Sequence, residues 1–179
     1  MNRTSDERVC VFIDGQNLYH SQKQEGVGID YLKLKDFLAD GRRLVRPYYY
    51  SSSINDQKQE RFFDMLRTAG YEVKVLPLMQ YEDKKYEKGI DVMLVTDMLV
   101  FAHREFYDVA VLVAGDRDYL YAIKALKEMG KRVEVASFDR SCSRELRLSA
   151  DRTISLSQMA EKIKRVKTEE PYDFADTPE

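Results

Sequence analysis

Two aspartates each stand directly after a short apolar run: Asp14 in VFIDGQN and Asp116 in VLVAGDRD. Asp91 opens an otherwise apolar stretch just after Lys88-Gly89, and Asp118 lies two positions past Asp116. Taken singly, each has an ordinary structural use, because a carboxylate at a helix N-terminus accepts free N–H groups and faces the positive end of the dipole. As a group they are harder to explain as caps, since clustered carboxylates repel one another unless a cation neutralises them. An all-oxygen cluster suits Mg2+ or Mn2+. Ions held this way can hydrolyse a phosphodiester: one lowers the pKa of a bound water to make the nucleophile, and a second, about 3.5 to 4 Å away, stabilises the leaving oxygen. The expected metal ligands and catalytic groups are therefore Asp14, Asp91, Asp116 and Asp118. Asp97 ranks second, because six positions after Asp91 it projects from a different face of the same helix and can serve simply to anchor packing.

Asn17 can orient a carboxylate or bond a ligand. Gly15 and Gly115 permit sharp strand-to-helix turns beside the acids. Lys84, Lys85 and above all Lys88, next to Gly89 and Asp91, could track phosphates, with Arg46 and the Tyr48-Tyr49-Tyr50 run as a stacking surface. The plainer reading of the same residues is that strand tyrosines pack and loop lysines are solvated. Arg140, Arg144 and Arg147 form a further basic strip that reads as a solvated face. The scheme needs no histidine, and His20 and His103 read as incidental. No GxxxxGK[ST] loop, GxGxxG turn or GxSxG elbow is present, and Asp14-Gly15-Gln16 lacks the second acid of a DxD phosphotransferase.

The elements that position these residues follow from hydrophobic spacing. Val9 to Ile13, Leu44 to Tyr50, Val73 to Leu76, Val109 to Val113 and Val133 to Ala136 read as strands, each leading into a helical pattern, which predicts a parallel sheet with helices on its faces. The run Val109 to Val113 is apolar throughout, as for a central strand covered on both sides, with Val9 to Ile13 as its neighbour. Helices are expected over Asp56 to Ala69, Ile90 to Arg104 (largely buried) and Asp118 to Met129. Asp14 and Asp116 then arrive outside the carboxyl ends of adjacent strands, where open α/β sheets bind ligands. Met79 to Lys88 is dense in charge and reads as a mobile surface loop.

With 179 residues, 44% hydrophobic and 34% charged, the chain is long enough to bury one core without disulfides. Residues 1–168 are expected to form one domain and residues 169–179 a disordered acidic tail. No apolar run is long enough to span a bilayer, the N-terminus lacks a cleavage site, and the isolated Cys10 and Cys142 fit a reducing cytoplasmic setting. The net charge of −2 does not by itself advertise nucleic acid, and a basic strip around an acidic centre remains compatible with it.

VFIDGQN, KGIDVMLVTDML, YDVAVLVAGDRDY and Gly130-Lys131-Arg132-Val133, in that order, resemble the NYN (LabA-like) branch of the PIN-like nucleases from about Val9 to Ala150. The resemblance implies a Rossmann-like, three-layer PIN-type α/β fold with a central, mainly parallel sheet, and divalent-metal ribonuclease chemistry on single-stranded or structured RNA. It matches Asp14 and Asn17 to the first motif, Asp91 and Asp97 to the KG-D helix, and Asp116 and Asp118 to the GDSD segment. The sequence departs at Arg117, where the family usually has Ser or Thr; a guanidinium there could pair with Asp118 or reach a phosphate. The leading expectation is a cytoplasmic, metal-dependent endoribonuclease. The alternative, which Arg117 supports, is a catalytically silent NYN-domain protein that binds RNA or a protein partner as a regulatory scaffold. A small-molecule phosphatase ranks below both for want of a DxD pair. A homodimer could use a sheet edge or the helix expected at Ser157 to Val166.

Overall fold

The computed structural model describes residues 6–53, 56–81, 84–86 and 89–165. Along the chain run β1 (Arg8–Asp14), α1 (Gly15–Glu25), α2 (Tyr31–Ala39), β2 (Arg43–Ser53), α3 (Gln57–Thr68), β3 (Glu72–Pro77), β4 (Met79–Tyr81) and β5 (Lys84–Tyr86). They are followed by α4 (Ile90–His103), β6 (Val109–Val113), α5 (Leu120–Glu128), β7 (Arg132–Ser137), α6 (Arg144–Ser149), β8 (Arg152–Ser155) and α7 (Ala160–Ile163). Six strands form one sheet in the order β3-β2-β1-β6-β7-β8. Every pairing in it is parallel. The chain builds outward from β1 in one direction and from β6 in the other, so the order reverses between these two strands. A crevice opens there at the carboxyl end of the sheet. Ile13 pairs with Val113, so β1 and β6 end at the same level and release Asp14 and Gly115-Asp116 side by side.

The pleat divides the strands between two cores. Val9, Val11, Ile13, Val109, Val111 and Val113 pack with Leu18, Leu34, Leu38, Phe63 and Leu66 from α1, α2 and α3. Cys10, Phe12, Ala110 and Leu112 pack with Leu94, Met98, Ile123 and Leu126 from α4 and α5. A sheet covered on both faces explains why β6, and β1 between its terminal Arg8 and Asp14, carry no charged residue. Tyr48, Tyr49 and Tyr50 belong to these cores, all three being buried. Tyr48 stacks on Phe12 and Tyr49 meets Tyr31 and Phe62 edge-on, so the run is packing and offers no stacking surface to a nucleic acid.

Three further expectations change. The charged segment from Met79 contains an antiparallel hairpin, in which Met79 pairs with Tyr86, Gln80 with Lys85 and Tyr81 with Lys84. Helix α4 buries only one side: Ile90, Leu94, Met98 and Ala102 face the core, whereas Val92 and Val100 are exposed. Of the helix expected at 157–166, the described residues form only the single turn α7. Lys88 and the expected tail at 169–179 lie outside the described residues. Among the described residues, no helix is long and apolar enough to cross a membrane.

Candidate functional site

Asp14 ends β1 and caps α1, its Oδ1 accepting the Asn17 N–H at 3.0 Å. The capping role is real, but it occupies only one of the two oxygens. The other, Oδ2, accepts the Tyr119 hydroxyl at 2.7 Å. Asp14 is half-buried, and burial pushes its carboxyl above the usual range; the Asn17 and Gln16 N–H groups and the Tyr119 hydroxyl oppose that, while the Asp116 charge adds to it.

Asp116 follows β6 through Ala114-Gly115 and caps the short 3-10 turn Arg117–Tyr119, its Oδ1 accepting the Asp118 N–H at 3.0 Å. Asp91 stands in the first turn of α4, which Gly89 starts in the left-handed region at φ 88°. Both acids are exposed. Asn17 joins the two strand-to-helix turns, because its Oδ1 accepts the Gly115 N–H at 2.9 Å.

These residues border one cleft of about 490 Å³ at the sheet's switch point. Its walls are Asp14, Asp91 and Asp116, with Gln16, Asn17, His20, Ser21 and Gln24 along α1, Gly89 and Ile90 at the start of α4, and Ser141 from the β7–α6 connection. The cleft thus brings together three of the expected acids and Asn17. It does not bring in Asp118 or Arg117, which are exposed on the 3-10 turn away from these walls. The turn brings Asp118's backbone N–H onto Asp116 Oδ1. Asp97 is a packing anchor: it accepts the Tyr50 hydroxyl at 2.9 Å and pairs with Lys74 at 2.8 Å. Arg46 is engaged by Glu72 at 3.2 Å. Arg147 donates to the carbonyls of Asp139 and Cys142 on an exposed surface, in keeping with a solvated basic strip.

Among the residues in or beside the cleft that carried no functional expectation are Tyr119, His20, Gln24 and Ser141. Tyr119 is buried, and its hydroxyl is driven well above its ordinary pKa by burial and by the charges of Asp14, Asp91 and Asp116, the same three acids that wall the cleft. The glycines serve close approach and not turn conformation, since neither Gly15 nor Gly115 adopts a positive φ. A Cβ on Gly15 would lie 2.5 Å from the Tyr49 ring, and one on Gly115 would lie 1.9 Å from the backbone oxygen of Ser141.

The donor set fits a hard divalent cation in kind, being carboxylates with a half-buried member that repels its neighbour. Among the described residues, however, no group of three or more His, Cys, Asp or Glu closes on a common point as a metal site would.

Residues 8–157 match the NYN domain family. The low amplitude and bright protein LabA of Synechococcus elongatus is 32% identical over 179 residues, spanning 96% of this chain and 94% of its own. An uncharacterized protein of Methanocaldococcus jannaschii is 24% identical across 87% of this chain and 58% of that longer protein. The crystal structure of a protein of unknown function from Vibrio parahaemolyticus superposes with a TM-score of 0.76 at 26% identity, covering 87% of this chain and 96% of the other. With its motifs, its parallel sheet and these relatives in agreement, the chain belongs to the NYN domain family, in its LabA-like branch.

Proposed function

We propose that the protein is a metal-dependent endoribonuclease, hydrolysing RNA phosphodiester bonds at the cleft between β1 and β6. The observation that carries this reading is the meeting of Asp14, Asp91 and Asp116 in one cleft at the point where the strand order reverses. The PIN-like nuclease superfamily, to which NYN domains are assigned, supports it. Asp14, Asp91 and Asp116 are the proposed ligands of Mg2+ or Mn2+, which when bound would supply an activated water and neutralise charge on the phosphate. Asp118 contributes through its N–H, which steadies Asp116. Asn17 holds the two turns together. Gln24 and Ser141 offer uncharged donors along the cleft wall, beside the His20 imidazole; unlike lysines, an amide and a hydroxyl can meet a phosphate or ribose without pairing with the acids.

One observation favours a second reading. The carboxylates share a cleft without closing on a point, as a catalytically silent protein that binds RNA or a protein partner would show. Cleavage of end-labelled single-stranded RNA with Mg2+ or Mn2+, by wild type, Asp14→Asn and Asp116→Asn prepared in parallel, separates the two. The nuclease reading expects both variants to lose more than the roughly 10- to 100-fold that an outer-shell partner costs, and EDTA to abolish cleavage. Equal cleavage by all three would sink it. RNA retained on a filter but left intact by wild type would establish the silent binder.

A further inference from the structure

We infer that Tyr119 is a positioning residue for Asp14, its hydroxyl fixing the carboxylate in the orientation that a cation in the cleft must meet. The inference rests on the metal-centre reading above and concerns a residue outside the expected ligand set.

The geometry separates Tyr119 from an ordinary core tyrosine. Its ring is 2% exposed and packs in the α4–α5 core beside residues such as Leu112, Ile123 and Leu146. With two torsions and a packed ring, the hydroxyl has little freedom to move. A hydroxyl buried there costs free energy unless it is partnered. Its partner is Asp14 Oδ2, at 2.7 Å. The opposite oxygen receives the Asn17 N–H. Each carboxylate oxygen therefore has a donor, and the Gln16 N–H adds a further one from the start of α1. With about four lone-pair sites the group keeps capacity for a ligand while its plane is held from both sides.

The two donors come from different parts of the chain. Asn17 lies on α1, directly after Asp14's own strand, whereas Tyr119 lies past β6 on the far side of the switch point. The Asn17–Gly115 bond ties backbone to side chain across the same gap and sets the spacing of the turns. The Tyr119 bond acts on the acid itself from the β6 side. Without it, Oδ2 loses that donor and the carboxylate is oriented from the α1 side alone, by the Asn17 and Gln16 N–H groups. A metal held by oriented carboxylates typically loses about 10- to 100-fold in affinity when such an outer partner is removed.

Tyr119→Phe removes the hydroxyl and keeps the ring. The test is a Mn2+ titration of the full chain, read by the fall in the free-ion electron paramagnetic resonance signal, with a thermal melt of the same samples. Ile123→Ala is the structural control, since it empties the same core without touching Asp14. The expected result is a Kd for Mn2+ raised about 10- to 100-fold in Tyr119→Phe at a Tm close to wild type. Ile123→Ala should lower the Tm and leave the Kd unchanged. Wild-type affinity in Tyr119→Phe, or an equal loss in Ile123→Ala, would overturn the inference and leave the metal centre standing. Failure of Tyr119→Phe to fold at 25 °C would make the residue structural and overturn it as well. If wild type bound no Mn2+ while remaining folded, the metal-centre reading would fall and this inference with it.

Discussion

Gly115 separates β6 from Asp116, and the β7–α6 connection passes directly over it. The oxygen and carbon of the Ser141 carbonyl would lie 1.9 and 2.6 Å from an added Cβ, and Ser143 donates its N–H to the Gly115 carbonyl at 2.9 Å. Both neighbours are backbone, so neither can swing aside as a flexible side chain would. Gly115→Ala should therefore cost about 1 to 3 kcal/mol, as overpacking does, and lower the Tm by about 2 to 4 °C per kcal/mol in a chain of this size. Gly28→Ala, whose nearest neighbour is 3.8 Å away, is the control in the same melt, and a Gly115→Ala protein as stable as that control would show that the connection yields freely. This crossing also explains what the sequence reveals of the site. Asp14 and Asp116 are legible because the first ends an apolar strand and the second follows one closely. Ser141 is not, because it reaches the cleft from a connection far along the chain. Tyr119 is disguised: it opens the apolar pattern continued by Ile123 and Leu126 and reads as core, which its ring is, while its hydroxyl belongs to the site. Asp118 looks like half of a pair with Asp116, and only the 3-10 geometry shows that its backbone is what makes the contact.

At the scale of elements, β1 and β6 are clamped at the end opposite the cleft. Arg8 donates from its backbone N–H and Nε to Asp108 Oδ2 at 2.9 and 3.0 Å, and from its guanidinium to Oδ1 at 2.6 Å. The Arg8 hydrogen bond holds the Asp108 carboxyl below the usual carboxylate range, although partial burial works against it. A depressed folded pKa contributes stability that is present above the unfolded value of about 3.9 and is lost as pH falls through the folded value. Asp108→Asn should therefore melt below wild type at neutral pH, with the two Tm curves converging as pH falls below about 4. Both side chains are well exposed, so the gap will be modest. A gap that stayed constant down to pH 2 would rule out the charge as its source. The strands joined here are legible in the sequence because burial on both faces makes them apolar throughout. The four-residue edge strand β8 has no such pattern, being paired only to β7. Helix α2 does carry signals, a cap at Asp30 and buried Tyr31, Leu34 and Leu38 at helical spacing, though they are short and broken by lysines. For α4 the trouble is opposite: apolar residues on every side leave nothing to mark which face turns outward.

Across the whole molecule, the layer holding α1, α2 and α3 is tied to the sheet by a fully buried ion pair. Glu134 projects from β7, and Arg42, just after α2, donates to its two oxygens at 2.8 and 3.0 Å, with both side chains 1% exposed. The same guanidinium donates to the carbonyls of Leu38 and Ala39, so it closes the end of α2 while joining that helix to a strand beyond β1 and β6. A buried pair contributes little over a well-packed apolar replacement, but removing one member strands the other's charge, at a cost of about 3 to 5 kcal/mol. Arg132 and Arg152 approach Glu134 at 3.8 and 3.5 Å, yet both remain partly exposed and cannot restore the lost fork geometry. Arg42→Met should thus lower the Tm by about 2 to 4 °C for each kcal/mol lost, and Arg42→Met with Glu134→Leu should recover most of the deficit. Because the two cores are opposite faces of one sheet, far-ultraviolet and tyrosine near-ultraviolet melts should coincide in all three proteins. If the double variant stayed as unstable as Arg42→Met, the cost would lie in the uncapped carbonyls of α2 and not in the stranded carboxylate. If the two melts separated, the layer around α2 would be unfolding on its own, and Arg42 would be what couples it to the sheet that carries the cleft.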